Sequence, residues 1–230
     1  MPAGGASAVT PFKTVLRAAE KRAGGKLALA RLLPKPRSAA ALARWPDERY
    51  LSAMSLRIFR AGLKHSLVDA KWPAFEAVFY GFQPRRVRAM SDEALERLMA
   101  DRRLIRHWGK LKSVRDNAAA MVALAAERGS FGRYLALWPH DEVVALWDDI
   151  ALRFRQMGGN SAPYFLRMVG KDTFILTPYV MRALEHWGAL EGEPSGKAGR
   201  RQAEAAILAW AREGRRPLCH VSMVLARSVD

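Results

Sequence analysis

Gly158, Gly159, Asn160 and Ser161 stand in a row between two stretches of helical apolar periodicity. Paired glycines allow positive φ and a close approach of bare backbone to a ligand. Asn160 or Ser161 can cap the helix that follows, and the free N–H groups of such a helix start suit an anion such as phosphate. The same residues also make an ordinary helix-capping turn, and the local pattern leaves both readings open. Downstream, Lys171 supplies a cation for a phosphate site. Its neighbour Asp172 is the only acid between the turn and the next helix. A carboxylate there can stabilise positive charge developing on a reacting group, cap the turn, or pair with Lys171. Thr177 precedes Pro178, which makes it first of all an N-cap with proline in the first turn.

The elements that must hold these residues are helices. Thr10-Pro11 opens one carrying Phe12, Val15, Leu16 and Ala19, which stops at Gly24-Gly25. A short helix from Lys26 ends at Pro34, and Ser38 caps a third. Asp47 starts a longer one with Tyr50, Leu51, Met54, Ile58 and Phe59 on one face. Further helices are expected over Trp72–Phe79 and after Ser91, with Leu95, Leu98 and Met99 as the stripe. Gly109–Arg128 is the clearest amphipathic stretch, stopped by Gly129, and Asp141–Arg155 continues the pattern. Met157–Gly188 reads as a helix entering the Gly-Gly-Asn hairpin (near 157–164), a second helix, an extended Thr173–Leu176, and a third helix from Thr177-Pro178. Gly192–Gly199, with Pro194 and Ser195, reads as a loop before helices near Arg200–Arg212 and Pro217–Arg227. The expected class is all-α.

Lys and Arg number 38 against 22 Asp and Glu, a net charge of +16 and a pI near 10.7. Such an excess favours a polyanionic partner through counterion release. Residues 1–46 hold nine of these bases, among them Lys13, Arg17 and Lys21, against Glu20 alone. This stretch reads as a basic N-terminal helical extension, either a binding arm or a solvated face. A single cysteine, Cys219, excludes an internal disulfide and suits a reducing cytosol. No apolar run approaches the roughly 20 residues of a bilayer span, and Met1–Thr10 lacks a secretory pattern. The expectation is a cytoplasmic protein with no membrane partner.

Ala61–Ala118 adds a set of ordered motifs: Ala61-Gly-Leu, an aromatic-rich helix, F-x-P-x-x-V-x-A-M from Phe82, E-x-L-x-x-L-M-x-D from Glu93, I-R-H-x-G-K from Ile105, and Asn117-Ala118. Together with the hairpin segment this resembles the type I 3-methyladenine DNA glycosylases of the helix-hairpin-helix superfamily. The resemblance implies two helical lobes, with residues 47–230 as the glycosylase-like domain. It implies a hairpin, Gly158 to Ser161 with Lys171, that grips a DNA phosphate, and a pocket for a flipped-out base.

Within that resemblance three departures matter. The family reads E-G-x-Q-A-G-L-S-W, whereas this chain reads Arg57-Ile-Phe-Arg-Ala-Gly-Leu-Lys-His65, so Arg57 and His65 occupy the places of the pocket Glu and Trp. Thr177 stands where the superfamily usually carries a helix-starting carboxylate, which leaves Asp172 as the candidate acid. The N-terminal Cys and the Y-H-D-x-E-W motif have no counterpart, and Cys219 and His220, adjacent on a helix, cannot assemble a tetrahedral site alone. A zinc-free relative with no cofactor is expected. Trp72, Phe75, Phe79, Tyr80, Trp108 and Tyr164 are candidate walls for a base, and most of them sit at core spacing. The expected activity is hydrolysis of the N-glycosidic bond of alkylated purines in duplex DNA by a monomer, with Asp172 and Thr177 catalytic and Arg57, His65 and Trp72 lining the pocket. The alternative is a catalytically silent DNA-binding protein on the same scaffold.

Overall fold

Apolar side chains recur every three or four residues along most of the chain. In the computed structural model, which describes residues 9–192 and 196–230, every regular element is accordingly helical. Residues 1–8 of the Met1–Thr10 reading, and Pro194 and Ser195 of the expected loop, lie outside the described residues. The first helices are α1 (Phe12–Ala23), α2 (Lys26–Leu32), α3 (Ala39–Arg44), α4 (Asp47–Arg60), α5 (His65–Val78), α6 (Pro84–Arg88) and α7 (Asp92–Leu98). After them come α8 (Trp108–Arg128), α9 (Phe131–Leu137), α10 (Val143–Arg153), α11 (Ser161–Val169), α12 (Pro178–His186), α13 (Gly196–Gly214) and α14 (Leu218–Ser228).

The chain divides into two compact units, one of Met1–Pro36, His140–Val144 and Asp172–Asp230, the other of Arg37–Pro139 and Ala145–Lys171. In the first, α1, with Phe12, Val15 and Ala19 buried, packs chiefly on α14, which also packs on α12 and α13. Two polar links fix the register. Trp210 donates its indole N–H to the Thr10 carbonyl at 2.9 Å, and a Glu213 carboxylate oxygen accepts the Phe12 N–H at 2.9 Å.

The second unit is built around α4 and α8. Tyr50 on α4 is fully buried, donates its hydroxyl to the Leu42 carbonyl at 2.8 Å and touches Trp45 and Phe131. Asp47, in the first turn of α4, accepts the Phe131 N–H at 3.0 Å and so ties α4 to the start of α9. Burial pushes the Asp47 carboxyl above its ordinary value, against the opposing pull of the Phe131 and Gly132 backbone N–H groups. The backbone of Gly132 comes so close to α3 that a Cβ there would lie 2.4 Å from the Leu42 carbonyl oxygen.

Several boundaries differ from the sequence expectation. The helix expected over Trp72–Phe79 begins at His65 and carries Pro73 in its interior. The last long helix begins at Gly196 rather than near Arg200. Helix α9 and the turn at Tyr80–Phe82 have no counterpart in the periodicity analysis, because each is too short to show a period. That turn is unusual in its backbone: Tyr80, Gly81 and Phe82 all have positive φ, at 54°, 62° and 59°. Left-handed geometry at each of the two aromatic residues costs about 1–3 kcal/mol. Phe82 offsets this by full burial, stacked on Trp72 and Phe79. Tyr80 is 40% exposed.

Candidate functional site

Helices α4, α8 and α11 bring a cationic cluster together in the second unit. Arg57, in the last turn of α4, is half-buried, and its guanidinium carbon lies 4.9 Å from the centroid of the Tyr164 ring on α11. Its Nε is buried without a hydrogen-bond partner among the described residues. Burial holds the guanidinium below its ordinary pKa, and nearby Arg60 adds to the effect. Lys110, on the inner face of α8 with Leu111, Val114 and Asn117, donates its ammonium to the Ala61 carbonyl at 2.7 Å and the Phe59 carbonyl at 3.4 Å. Those carbonyls belong to the C-terminal end of α4, where a cation meets both unsatisfied acceptors and the negative end of the helix dipole. Burial first, then the charge of Arg57, lowers the Lys110 pKa.

Asn117 positions the turn ahead of α11. It is fully buried; its Oδ1 accepts the Arg155 N–H at 2.6 Å and its Nδ2 donates to the Arg155 carbonyl at 3.1 Å. The pinned backbone then passes through Gln156 at φ 65° and Gly159 at φ 57°. Gly158, Gly159 and Asn160 are exposed, and a side chain at Gly158 or Gly159 would meet open space. The start of α11 differs from the expected donor set: Asn160 holds the N-cap position without a side-chain capping bond. The Ser161 N–H goes to the Gly158 carbonyl at 3.1 Å, Ala162 is fully buried, and Pro163 has no N–H. Exposed glycine backbone, rather than the first helical turn, is what this hairpin offers a ligand.

Three other expected site residues are committed to the fold. Lys171, expected at a phosphate, is 8% exposed and donates its ammonium to the Leu135 carbonyl at 2.7 Å and the Trp138 carbonyl at 3.2 Å, at the C-terminal end of α9. Trp72, expected at the base, is stacked on by Phe75 and Phe82 and donates its indole N–H to Ser52 Oγ at 3.1 Å, so it belongs to the aromatic core. Asp172, in the first unit, accepts the N–H groups of Leu218 and Cys219, each at 2.9 Å, one on each carboxylate oxygen. It caps α14, a helix start 46 residues away, where its sequence position offers the local turn or Lys171 as partners. Thr177 caps α12, its Oγ1 accepting the Val180 N–H at 3.2 Å. His65 is exposed at the first residue of α5. The structure thus brings Arg57 together with Tyr164 and Lys110 rather than with Trp72. In sequence Lys110 stands only as the closing lysine of the I-R-H-x-G-K run, with no role assigned to it; the structure shows it buried and partnered.

The residues present do not fit a zinc site. His220 Nε2 lies 2.8 Å from the Pro34 carbonyl oxygen, Cys219 is buried, and among the described residues no group of three or more His, Cys, Asp or Glu side chains could hold a metal.

Comparison with known proteins adds the lineage. A family model described as Methyladenine glycosylase matches residues 42–151. A 65-residue stretch is 38% identical to DNA-3-methyladenine glycosylase 1 of Escherichia coli (strain K12), covering 28% of this chain and 35% of that protein. The aligned stretch thus spans about a third of that relative's length. The fold is similar to 3-methyladenine DNA glycosylase I from Staphylococcus aureus, solved for its recognition of 3-methyladenine, at 21% identity and a TM-score of 0.51 over 60% of this chain and 80% of that one. A mutant of the Staphylococcus aureus enzyme superposes with a TM-score of 0.52 at 20% identity, over 66% of this chain and 90% of the other. At these identities the solved structures speak for the fold, and the sequence matches speak for the stretch they cover. Residues 42–151, a little under half of the chain, are thus similar to the methyladenine glycosylase family.

Proposed function

We propose that this protein is a DNA glycosylase that hydrolyses the N-glycosidic bond of alkylated purines in duplex DNA, with water as the nucleophile. The family match over residues 42–151 carries this reading, because it runs through the helices that position Arg57 and Lys110. The net charge of +16 supports a DNA partner, and the exposed Gly158-Gly159 backbone is the proposed phosphate contact. Residues 47–230 form the proposed glycosylase-like domain, working as a cytoplasmic monomer.

Arg57 bears on the substrate. A purine alkylated at N3 is already cationic in DNA, and a half-buried arginine beside Lys110 raises the energy of a second cation placed next to it. The proposed substrate is therefore an alkylated purine less charged than 3-methyladenine. Purified protein is incubated with alkylated duplex DNA, and the released free bases are separated and identified. Release of an alkylated purine supports the reading; no base from any alkylated substrate ends it.

Two observations favour a second reading, a silent DNA-binding scaffold. Arg57 stands where the family resemblance places a Glu, and the Asp172 carboxylate is occupied as a helix cap. DNA binding without base release in the same experiment establishes that reading.

A further inference from the structure

The turn at Tyr80–Phe82 leads directly into α6, whose outer surface carries Arg85, Arg86 and Arg88 around the buried Val87. All three arginines are exposed, and among the described residues no hydrogen bond or ion pair holds any of their side chains. The guanidinium carbon of Arg86 lies 4.3 Å from the centroid of the Tyr80 ring. Tyr80 is itself exposed and held at φ 54°, a conformation a tyrosine adopts only under constraint. Packing explains the left-handed geometry at Phe82 but not the outward display of Tyr80. Stacking fixes the plane of the Arg86 guanidinium and leaves its N–H edge unused, the arrangement that suits bidentate capture of a phosphate. Arg85 shares a surface hollow with Asp47 and Glu48, which offset part of its charge, and Arg86 and Arg88 do not line that hollow.

We propose that Tyr80 and the α6 arginines form a phosphodiester-binding surface, separate from the Gly158-Gly159 hairpin, in which Tyr80 acts as the positioning residue for Arg86. This rests on the proposed DNA partner and adds a second contact to it. The ligand is the nucleic-acid backbone, so no sequence preference is expected from this surface.

The test compares wild type with Arg85→Ala/Arg86→Ala/Arg88→Ala, Tyr80→Ala and Tyr80→Phe, measuring duplex affinity over a range of salt and base release from alkylated duplex in parallel. Removing one cation from a phosphate lowers the steepness of log K against log salt by about 0.9. The triple variant is expected to bind several-fold more weakly, with a slope shallower by about two such steps. Tyr80→Ala is expected to weaken binding, and Tyr80→Phe, which keeps the ring, to restore it. An unchanged slope in the triple variant while wild type still binds DNA and releases base overturns the α6 surface and leaves the glycosylase reading intact. A shallower slope with no base release from wild type supports the surface and removes the glycosylase. Absence of DNA binding by wild type at low salt overturns both.

Discussion

Lys110, Lys171 and Asp172 share one role: each charged group ends on the terminus of a helix. The lysines serve the C-terminal carbonyls of α4 and α9, and the aspartate serves the first N–H groups of α14. Thr177 is legible as a cap from sequence because its proline neighbour announces a helix start. Lys171 reads instead as a ligand contact, because the carbonyls it serves lie far away in sequence, at Leu135 and Trp138. Asp172→Ala is expected to cost about 1 kcal/mol of stability in denaturant unfolding, the usual loss of a helix cap. Lys110→Met leaves the α4 carbonyls unserved, at a cost of about 1–3 kcal/mol. Burial holds the folded pKa of Lys110 below the ordinary 10.5, so the unfolded chain binds that proton more tightly. Its contribution to stability therefore rises with pH between the lowered value and 10.5, and Lys110→Met should remove that rise from a stability–pH profile.

Among the elements, the long amphipathic helices were legible because α4 and α8 repeat their apolar face over several turns. The short ones were not, since seven residues of α9 hold barely two turns. The close approach of α3 and α9 is invisible in any periodicity because it is made by a missing side chain. Gly132→Ala places a methyl 2.4 Å from the Leu42 oxygen and is expected to lower stability by about 1–3 kcal/mol in thermal unfolding. The hairpin gives the opposite case. Gly159 has open space around it but holds φ 57°, so Gly159→Val strains the turn without any clash. Weaker duplex binding by that variant, with folding retained by circular dichroism, supports the hairpin contact; equal affinity removes it. The pocket residues were the least legible part. His65, Trp72 and Arg57 look like neighbours in sequence, yet Arg57 meets Tyr164, Trp72 stacks on Phe75 within the aromatic core, and His65 is exposed.

For the molecule as a whole, charge and composition set the expectations that solution experiments test. Duplex affinity should fall steeply as salt rises, as counterion release requires for a protein of charge +16. Exhaustive chelation should leave the thermal transition where it is, because the stability of this chain rests on helix packing; a lowered transition, restored by zinc, sinks that expectation. One architectural feature also bears on how the protein comes to be made. Helix α1, with Phe12, Val15 and Ala19 buried, packs chiefly against α14, a partner that follows it by nearly 200 residues. During synthesis that apolar stripe emerges early and waits uncovered while Arg37–Pro139 and Ala145–Lys171 have every residue they need to assemble. Helix α1 is thus sheltered only once α14 has been made, and a ribosome stalled before residue 218 leaves a sticky, basic segment in search of a surface.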